Sequence, residues 1–357
     1  MVQRLTLDTR LLKDMVGTLE TMYSPNKLYD YSNQVTLYCK REYLICEMCV
    51  ILDGASNDAM IRLSEPAHEG AQSFDPLTIN FDEFRTFVKS IKIDTTTTIE
   101  VDGKSITITA GKSKHVMQLS TSTIPTSIVN TLKSFSEQKF VDFNLLKLYN
   151  NMNEIAENLT LNTLSAGLFG IMNTPNWLAS SDGFSIGAAL DYQLPHNFLF
   201  PKHALKIFKA LPKISARYAI HDHRFACVGS GFELYMGEWS GYKAYPIDAV
   251  TKHLEAVYPT VVDGVGALEA IRRCHMFGDL AYVNFGLGIV TNKSKTHTES
   301  FTPTPSLGDK EIIIHQEVVP KNAVVESMMV SLEKNVLKII GAKRVHILLG
   351  LKEDTHE

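Results

Sequence analysis

Leu5-Thr-Leu-Asp8 ahead of residues 9–22, Phe140-Val-Asp-Phe-Asn144 ahead of 145–158 and Val261-Val-Asp263 ahead of 264–277 repeat one pattern. Each is a short strand, then an Asp or Asn where a helix N-cap sits, then apolar residues at helical spacing. The copies stand about 135 and then about 120 residues apart. Self-similarity at such spacing means a chain assembled from like units, and it takes precedence over any single motif. A second pattern falls between the copies, where a strand runs straight into a shorter helix: Leu77–Ile91, Phe198–Leu211 and Met329–Ile340. Within it, Arg85-Thr-Phe-Val-Lys89, Lys202-His-Ala-Leu-Lys206 and Lys334-Asn-Val-Leu-Lys338 each set two bases four apart with an aliphatic residue before the second. Alternating strand sequence follows, with Thr98–Thr109 turning at Asp102-Gly103 and Arg217–Val228 turning at Asp222. The expected fold class is α+β, with three repeated domains near 1–134, 135–252 and 253–357, each two helices packed on antiparallel sheet. Linkers are expected around Ser134–Glu137 and Thr251–His253, and Thr302–Gly308 reads as an exposed loop inside the third domain.

Composition narrows the function. A chain of 357 residues, 45% hydrophobic, exceeds one compact core. No apolar run approaches the roughly 18 to 20 residues of a membrane span, and the N-terminal sequence has no basic patch followed by an apolar core, so a cytoplasmic location without a membrane partner is expected. Five cysteines spread over the chain argue for reduced thiols. A net charge of −4 carries no global sign of nucleic-acid binding, so any basic surface is local.

Such a surface is expected on the helices. On a helical wheel Lys202, Lys206, Lys209 and Lys213 fall within about 60° of one another. Arg85, Lys89 and Lys92 form the same stripe in the first domain, and Lys334 and Lys338 in the third. Six expected helices (8–22, 81–92, 143–158, 201–213, 263–277, 332–344) hold 16 Lys and Arg against 10 Asp and Glu, leaving 19 against 29 elsewhere. Segregated charge of this kind lets an acidic protein hold a polyanion through sequence-independent, salt-sensitive contacts.

Three two-helix domains with basic helices resemble the bacterial-type DNA sliding clamp, the processivity factor of replicative DNA polymerases. The likeness runs over nearly the whole chain. It is most specific in Leu178-Ala-Ser-Ser-Asp-Gly-Phe-Ser-Ile186, followed by Leu194-Pro195 and Phe198-Leu-Phe-Pro-Lys202, then in Glu238–Pro246, and in the first domain in Val101-Asp-Gly-Lys104 and Gly111–Thr121. The resemblance implies a head-to-tail homodimer, six domains closing a ring around double-stranded DNA, and a separate ATP-dependent clamp loader. Contacts to phosphate would come from Arg85, Lys89, Lys92, Lys202, Lys206, Lys209, Lys213, Arg272, Arg273, Lys334 and Lys338. It further implies a cleft where short motifs of the polymerase and other replication proteins dock, formed by Leu164, Ser181, Gly183, Phe184, Ile186, Pro246 and Val250. A small Gly beside aliphatic side chains and a Pro leaves room for the Leu or Phe anchors of such a peptide.

Two departures stand out. Phe184 and Ser185 replace the His and Arg that follow Asp-Gly in the family, which changes the polar rim of the cleft. Only Arg344–Leu349 and a polar tail follow the last expected helix, so the third domain is expected either to be short at its end or to build its sheet from inserted sequence such as Lys310–Val319. The resemblance leaves a bacterium or a bacterial virus as the source, and the divergent rim and the missing strands lean toward the virus.

Catalysis is not expected. Cys46-Glu-Met-Cys49 lacks a second ligand pair for zinc, His221-Asp-His223 reads as a hairpin tip, and Asp182 before Gly183 reads as a turn residue. No phosphate loop, nucleophile elbow or cofactor motif is present. A clamp-fold adaptor that binds partners without encircling DNA, and an unrelated α+β enzyme, are the alternatives.

Overall fold

The computed structural model describes residues 2–23, 30–51, 58–93, 95–121, 134–156, 170–212, 215–239 and 242–351. Their strands follow one order three times. The first run is β1 (Gln3–Asp8), α1 (Thr9–Met22), β2 (Gln34–Lys40), β3 (Tyr43–Ile51), β4 (Asp58–Pro66), β5 (Phe74–Asn80), α2 (Phe81–Ser90), β6 (Thr96–Val101), β7 (Ser105–Ala110) and β8 (Ser113–Gln118). The second is β9 (Val141–Phe143), α3 (Leu145–Ile155), β10 (Gly170–Asn173), β11 (Leu178–Ser181), β12 (Ser185–Ala189), β13 (Phe198–Pro201), α4 (Ala204–Ala210), β14 (Ala216–His221), β15 (Arg224–Gly229) and β16 (Phe232–Gly237). After a connecting helix, α5 (Ile247–Glu255), the third is β17 (Thr260–Val262), α6 (Gly264–Cys274), β18 (Leu280–Asn284), β19 (Ile289–Asn292), β20 (Thr298–Ser300), β21 (Glu311–His315), β22 (Ser327–Ser331), β23 (Val336–Ile340) and β24 (Arg344–Leu349).

Local chemistry sets these elements. Asp8, Asn80 and Asp263 cap α1, α2 and α6, their side chains accepting from the amides of Arg10, Glu83 and Gly266. Leu12, Met15, Val16 and Leu19 bury one stripe of α1. The turn between β6 and β7 is held by Asp102, whose Oδ1 accepts from the amides of Lys104 and Ser105, with Gly103 at φ 88°. Asp222 and His223, both at positive φ, close the hairpin of β14 and β15.

The chain condenses into two compact units. One holds the residues up to Leu146 together with His203–Glu238, and the other holds Lys147–Lys202 and the chain from Trp239 onward. The first contains an eight-stranded sheet, β5-β2-β3-β4-β16-β15-β14-β9, and a four-stranded one, β1-β6-β7-β8. The second contains β13-β10-β11-β12-β24-β23-β22-β17 and β20-β19-β18-β21. Each large sheet joins two runs edge to edge, through β4·β16 (Leu63 opposite Phe232) and β12·β24 (Ile186 opposite Ile347). In the first unit α1 packs against both α2 and α4.

Two expectations are corrected here. Residues 332–344 are not a helix: β22 and β23 form a hairpin closed by Asn335 at φ 54°. Val336-Leu-Lys-Ile-Ile340 is rich in β-branched residues, and its apolar side chains are buried on both faces of the sheet, Leu337 and Ile339 in one cluster and Val336 in another. The third run therefore has its full set of strands, β21 coming from the inserted stretch, and lacks only its second helix. One of the two grounds for a viral source falls with the missing strands. Residues 251–253 are likewise not a linker but lie inside α5, whose Ile247, Val250 and Leu254 face one cluster at i, i+3 and i+7. Cys46 and Cys49 sit in β3 at odd spacing, which turns them to opposite faces, and both are buried thiols.

Candidate nucleic-acid interface and peptide cleft

The first unit gathers the basic residues of two helices around α1. On α2, Arg85 lies over the Tyr23 ring and pairs with Asp82 at 2.7 Å and Glu20 at 3.1 Å. Lys89 Nζ is 2.5 Å from the same Glu20, and Lys92, beyond the helix end, is exposed. On α4, Lys206 and Lys209 are exposed, opposite buried Ala204, Ile207 and Phe208. No ion pair holds either lysine among the described residues, so their charge is the most available to an external phosphate. Lys202 stands half-buried in the turn before the helix, and Lys213 lies outside the described residues. Lys13 of α1 reaches the Lys89 carbonyl at 2.9 Å, a contribution from the first helix that the charge-stripe argument passed over.

The second unit presents its bases differently. Arg272 donates to the Pro320 carbonyl at 2.6 Å, its Nε buried without a partner among the described residues. Arg273 pairs with Glu299 at 2.7 Å and Glu269 at 3.6 Å, and the Glu299 hydrogen bond raises its pKa. Lys334 is exposed in the β22–β23 turn, 5.9 Å above the Tyr258 ring. Lys338 is only 5% exposed, and its Nζ donates to the Leu254 and Ala256 carbonyls at 2.6 and 2.7 Å. Those carbonyls end α5, where a cation is favoured by the helix dipole, while burial pushes the lysine's pKa down. Lys338 is thus a helix cap and not a phosphate ligand. Removing 332–344 from the helices also reduces their balance to 12 bases against 9 acids.

The expected cleft residues gather in the second unit, Leu164 excepted, which lies outside the described residues. Ser181 Oγ donates to the Ser185 carbonyl at 2.7 Å, and Asp182 Oδ1 accepts from the amides of Phe184 and Ser185 at 2.8 and 2.7 Å. With Gly183 at φ 92°, this turn aims Phe184 outward, 41% exposed, and Ile186 inward. Ile186 and Val250 fill the cluster beneath α5, and Pro246 is exposed at the start of that helix. A pocket of about 220 Å³ opens beside Phe184, walled by Val318, Leu349 and Leu351. Sequence reasoning missed these three because they reach Phe184 only through long-range pairing: the expected strand 344–349 lies beside β12, where the Leu349 amide donates to the Phe184 carbonyl at 2.8 Å.

No family model and no curated protein matches this sequence. Among solved structures, the chain is similar to the DNA polymerase III subunit beta from Pseudomonas aeruginosa, with TM-score 0.78 and 14% identity over 98% of this chain and 100% of that one. A Helicobacter pylori beta clamp bound to a DNA ligase peptide matches with TM-score 0.73 and 12% identity over 98% and 100%. The DNA polymerase III beta subunit from Thermotoga maritima gives 0.71 and 13% over 99% and 100%. The fold is therefore that of the bacterial DNA sliding clamps, shared across almost the whole chain.

Proposed function

We propose that the protein is a DNA sliding clamp: two copies join head to tail, close around duplex DNA and tether a replicative polymerase to it. The observation that carries this reading is how the runs join. The fourth strand of one run pairs with the last strand of the next, β4 with β16 and β12 with β24. Among the described residues, β20, the fourth strand of the third run, and β8, the last of the first, are sheet edges. Applied once more, the rule pairs β20 of one copy with β8 of another. The joined sheet would then repeat the strand order of the other two.

The ladders fit. Phe301 bonding to Gly288 leaves the backbone groups of Thr298 and Ser300 facing out, and the β7·β8 register does the same for Lys114, Val116 and Gln118. Val116 is exposed on β8. Near β20, Met276 is 77% and Phe277 56% exposed, with Phe277 stacked on His297 at 3.9 Å. Paired edges and covered apolar groups would remove a site of aggregation.

Three domains, divided near residue 134 and after Glu255, make six in the ring. Lys206 and Lys209 lead the phosphate contacts, joined by Lys92 and Lys202, while Arg85 and Lys89, paired with Glu20, and Arg272, Arg273 and Lys334 contribute less because each is already engaged. Such contacts carry no base information, so the ring slides. Gly183, Phe184 and Pro246 would rim the peptide cleft over Ser181, Ile186 and Val250, for the polymerase, other clamp-motif proteins and an ATP-dependent loader. The ligase peptide on the Helicobacter pylori clamp supports that use.

The test is retention on nicked circular against linear DNA, together with mass in solution. A ring is retained only on the circle and has twice 39.9 kDa. Ser300→Pro, which removes an outward amide, halves the mass. Equal loss from both DNAs rejects encirclement.

A further inference from the structure

The pocket beside Phe184 has a chemistry that the expected cleft residues do not account for. Its walls are apolar, Val318, Leu349, Leu351 and the outward face of Phe184, yet Asp182 and Glu317 also line it. Asp182 is 4% exposed, and the side-chain hydrogen bonds of its turn all fall on Oδ1, which leaves Oδ2 outside the turn's network. Glu317 is exposed, and among the described residues no cation lines the pocket with either carboxylate. The other titratable group lining the pocket, His315, accepts the Glu317 amide through Nδ1 at 3.2 Å. An apolar slot ending in two carboxylates fits an amphipathic cation, whose alkyl stem covers the walls while its charge meets the acids.

We infer that this pocket takes an arginine side chain of a partner peptide. The alkyl stem lies between Leu349, Leu351 and Val318, the flat guanidinium stacks on the Phe184 ring, and its N–H groups donate to Asp182 Oδ2 and Glu317. At about 220 Å³ the space suits one long side chain. The inference deepens the proposed peptide cleft and rests on it for the partner, while the pocket's charge preference stands on its own residues. A partner selected here would carry a base beside its apolar anchor, and an acid in that place would be rejected.

The test uses the full chain in two arms. In the first, ligand-detected NMR compares benzamidine, benzamide and benzoate, which share a ring and differ in charge. Benzamidine is expected to bind roughly threefold to fivefold tighter than benzamide, with benzoate weakest. Asp182→Asn, which keeps the turn's acceptor, and Glu317→Gln each narrow that gap. Benzoate binding as well as benzamidine, or a gap unchanged in both variants, overturns the inference. In the second arm, labelled decapeptides carry a Leu-Phe pair and, two residues away, either Arg or Glu. Preference for Arg supports the pocket, and preference for Glu overturns it while leaving the cleft standing. Should no peptide bind while the benzamidine gap holds, the cleft reading fails and the cation pocket remains.

Discussion

The two compact units share one strand plan and differ in what lies beside their first helix. In the first unit α4 packs on α1, with Phe208 and Ile207 buried. In the second, the segment after β21 makes a single 3-10 turn, Gln316–Val318, and α3 borders an open groove of about 600 Å³. Arg344, on β24, spans part of that ground, donating to Asp191 at 2.8 Å, Glu154 at 2.6 Å and Asn151 at 2.8 Å. The first unit has an arginine at its seam as well: Arg62 on β4 reaches Glu47 and Glu233, both at 2.6 Å. The comparison teaches that strand pairing is the invariant of this architecture, while the second helix of a run is dispensable where a charged network occupies its border.

The contrast can be broken most forcefully in the first unit. Phe208→Ala removes the largest buried side chain of α4 and is expected to cost about 3–5 kcal/mol, read by urea unfolding. Arg62→Met strands two carboxylates at the seam, with an expected loss of about 3 kcal/mol.

In the second unit Arg344→Met is expected to cost about 2 kcal/mol, less because Glu154 is half exposed. This variant also sharpens the comparison through pH. Burial alone would raise the Asp191 pKa, but hydrogen bonds from Arg344 and Asn151 outweigh it and hold the value down. The stabilisation is therefore full above the unfolded Asp value of about 4 and fades as pH falls through the lower folded one. The stability gap between wild type and variant should shrink in that acid range; a gap constant with pH would separate Arg344 from Asp191.

Smaller effects follow at the helix cap and the turn. Lys338→Met leaves two carbonyls of α5 without donors and should cost about 1–2 kcal/mol. DNA retention by the folded variant should be unchanged, whereas Lys206→Glu with Lys209→Glu lowers retention and leaves the unfolding midpoint in place. Gly183→Ala, forced to φ 92°, should cost about 1 kcal/mol.

Lys338 illustrates the limit of the sequence. Its spacing from Lys334 matches that of Lys206 from Lys202, yet one pair lies in a hairpin and the other spans a helix start. Four residues apart is a helical neighbour or a same-face strand pair, and Val336-Leu-Lys-Ile-Ile340 is too short for periodicity to decide. The helix 247–255 is legible in the i, i+3 and i+7 spacing of Ile247, Val250 and Leu254, a periodicity that runs through the linker expected at 251–253. Of the cleft, the Asp182-Gly183 turn was readable because it is local; Val318 and Leu351 were not, since they reach Phe184 only through the pairing of β12 with β24 and of Leu351 with Ile313.

What the sequence determined by itself is the repeat, the strands with their caps and turns, and the amphipathic helices, all set by interactions within a few residues of the chain. Tertiary structure alone decided which lysine faces solvent and which caps a helix, which strand edges join, and where an apolar pocket meets two carboxylates. Those outcomes depend on desolvation and pairing between residues far apart in the chain, and local propensity carries no record of them.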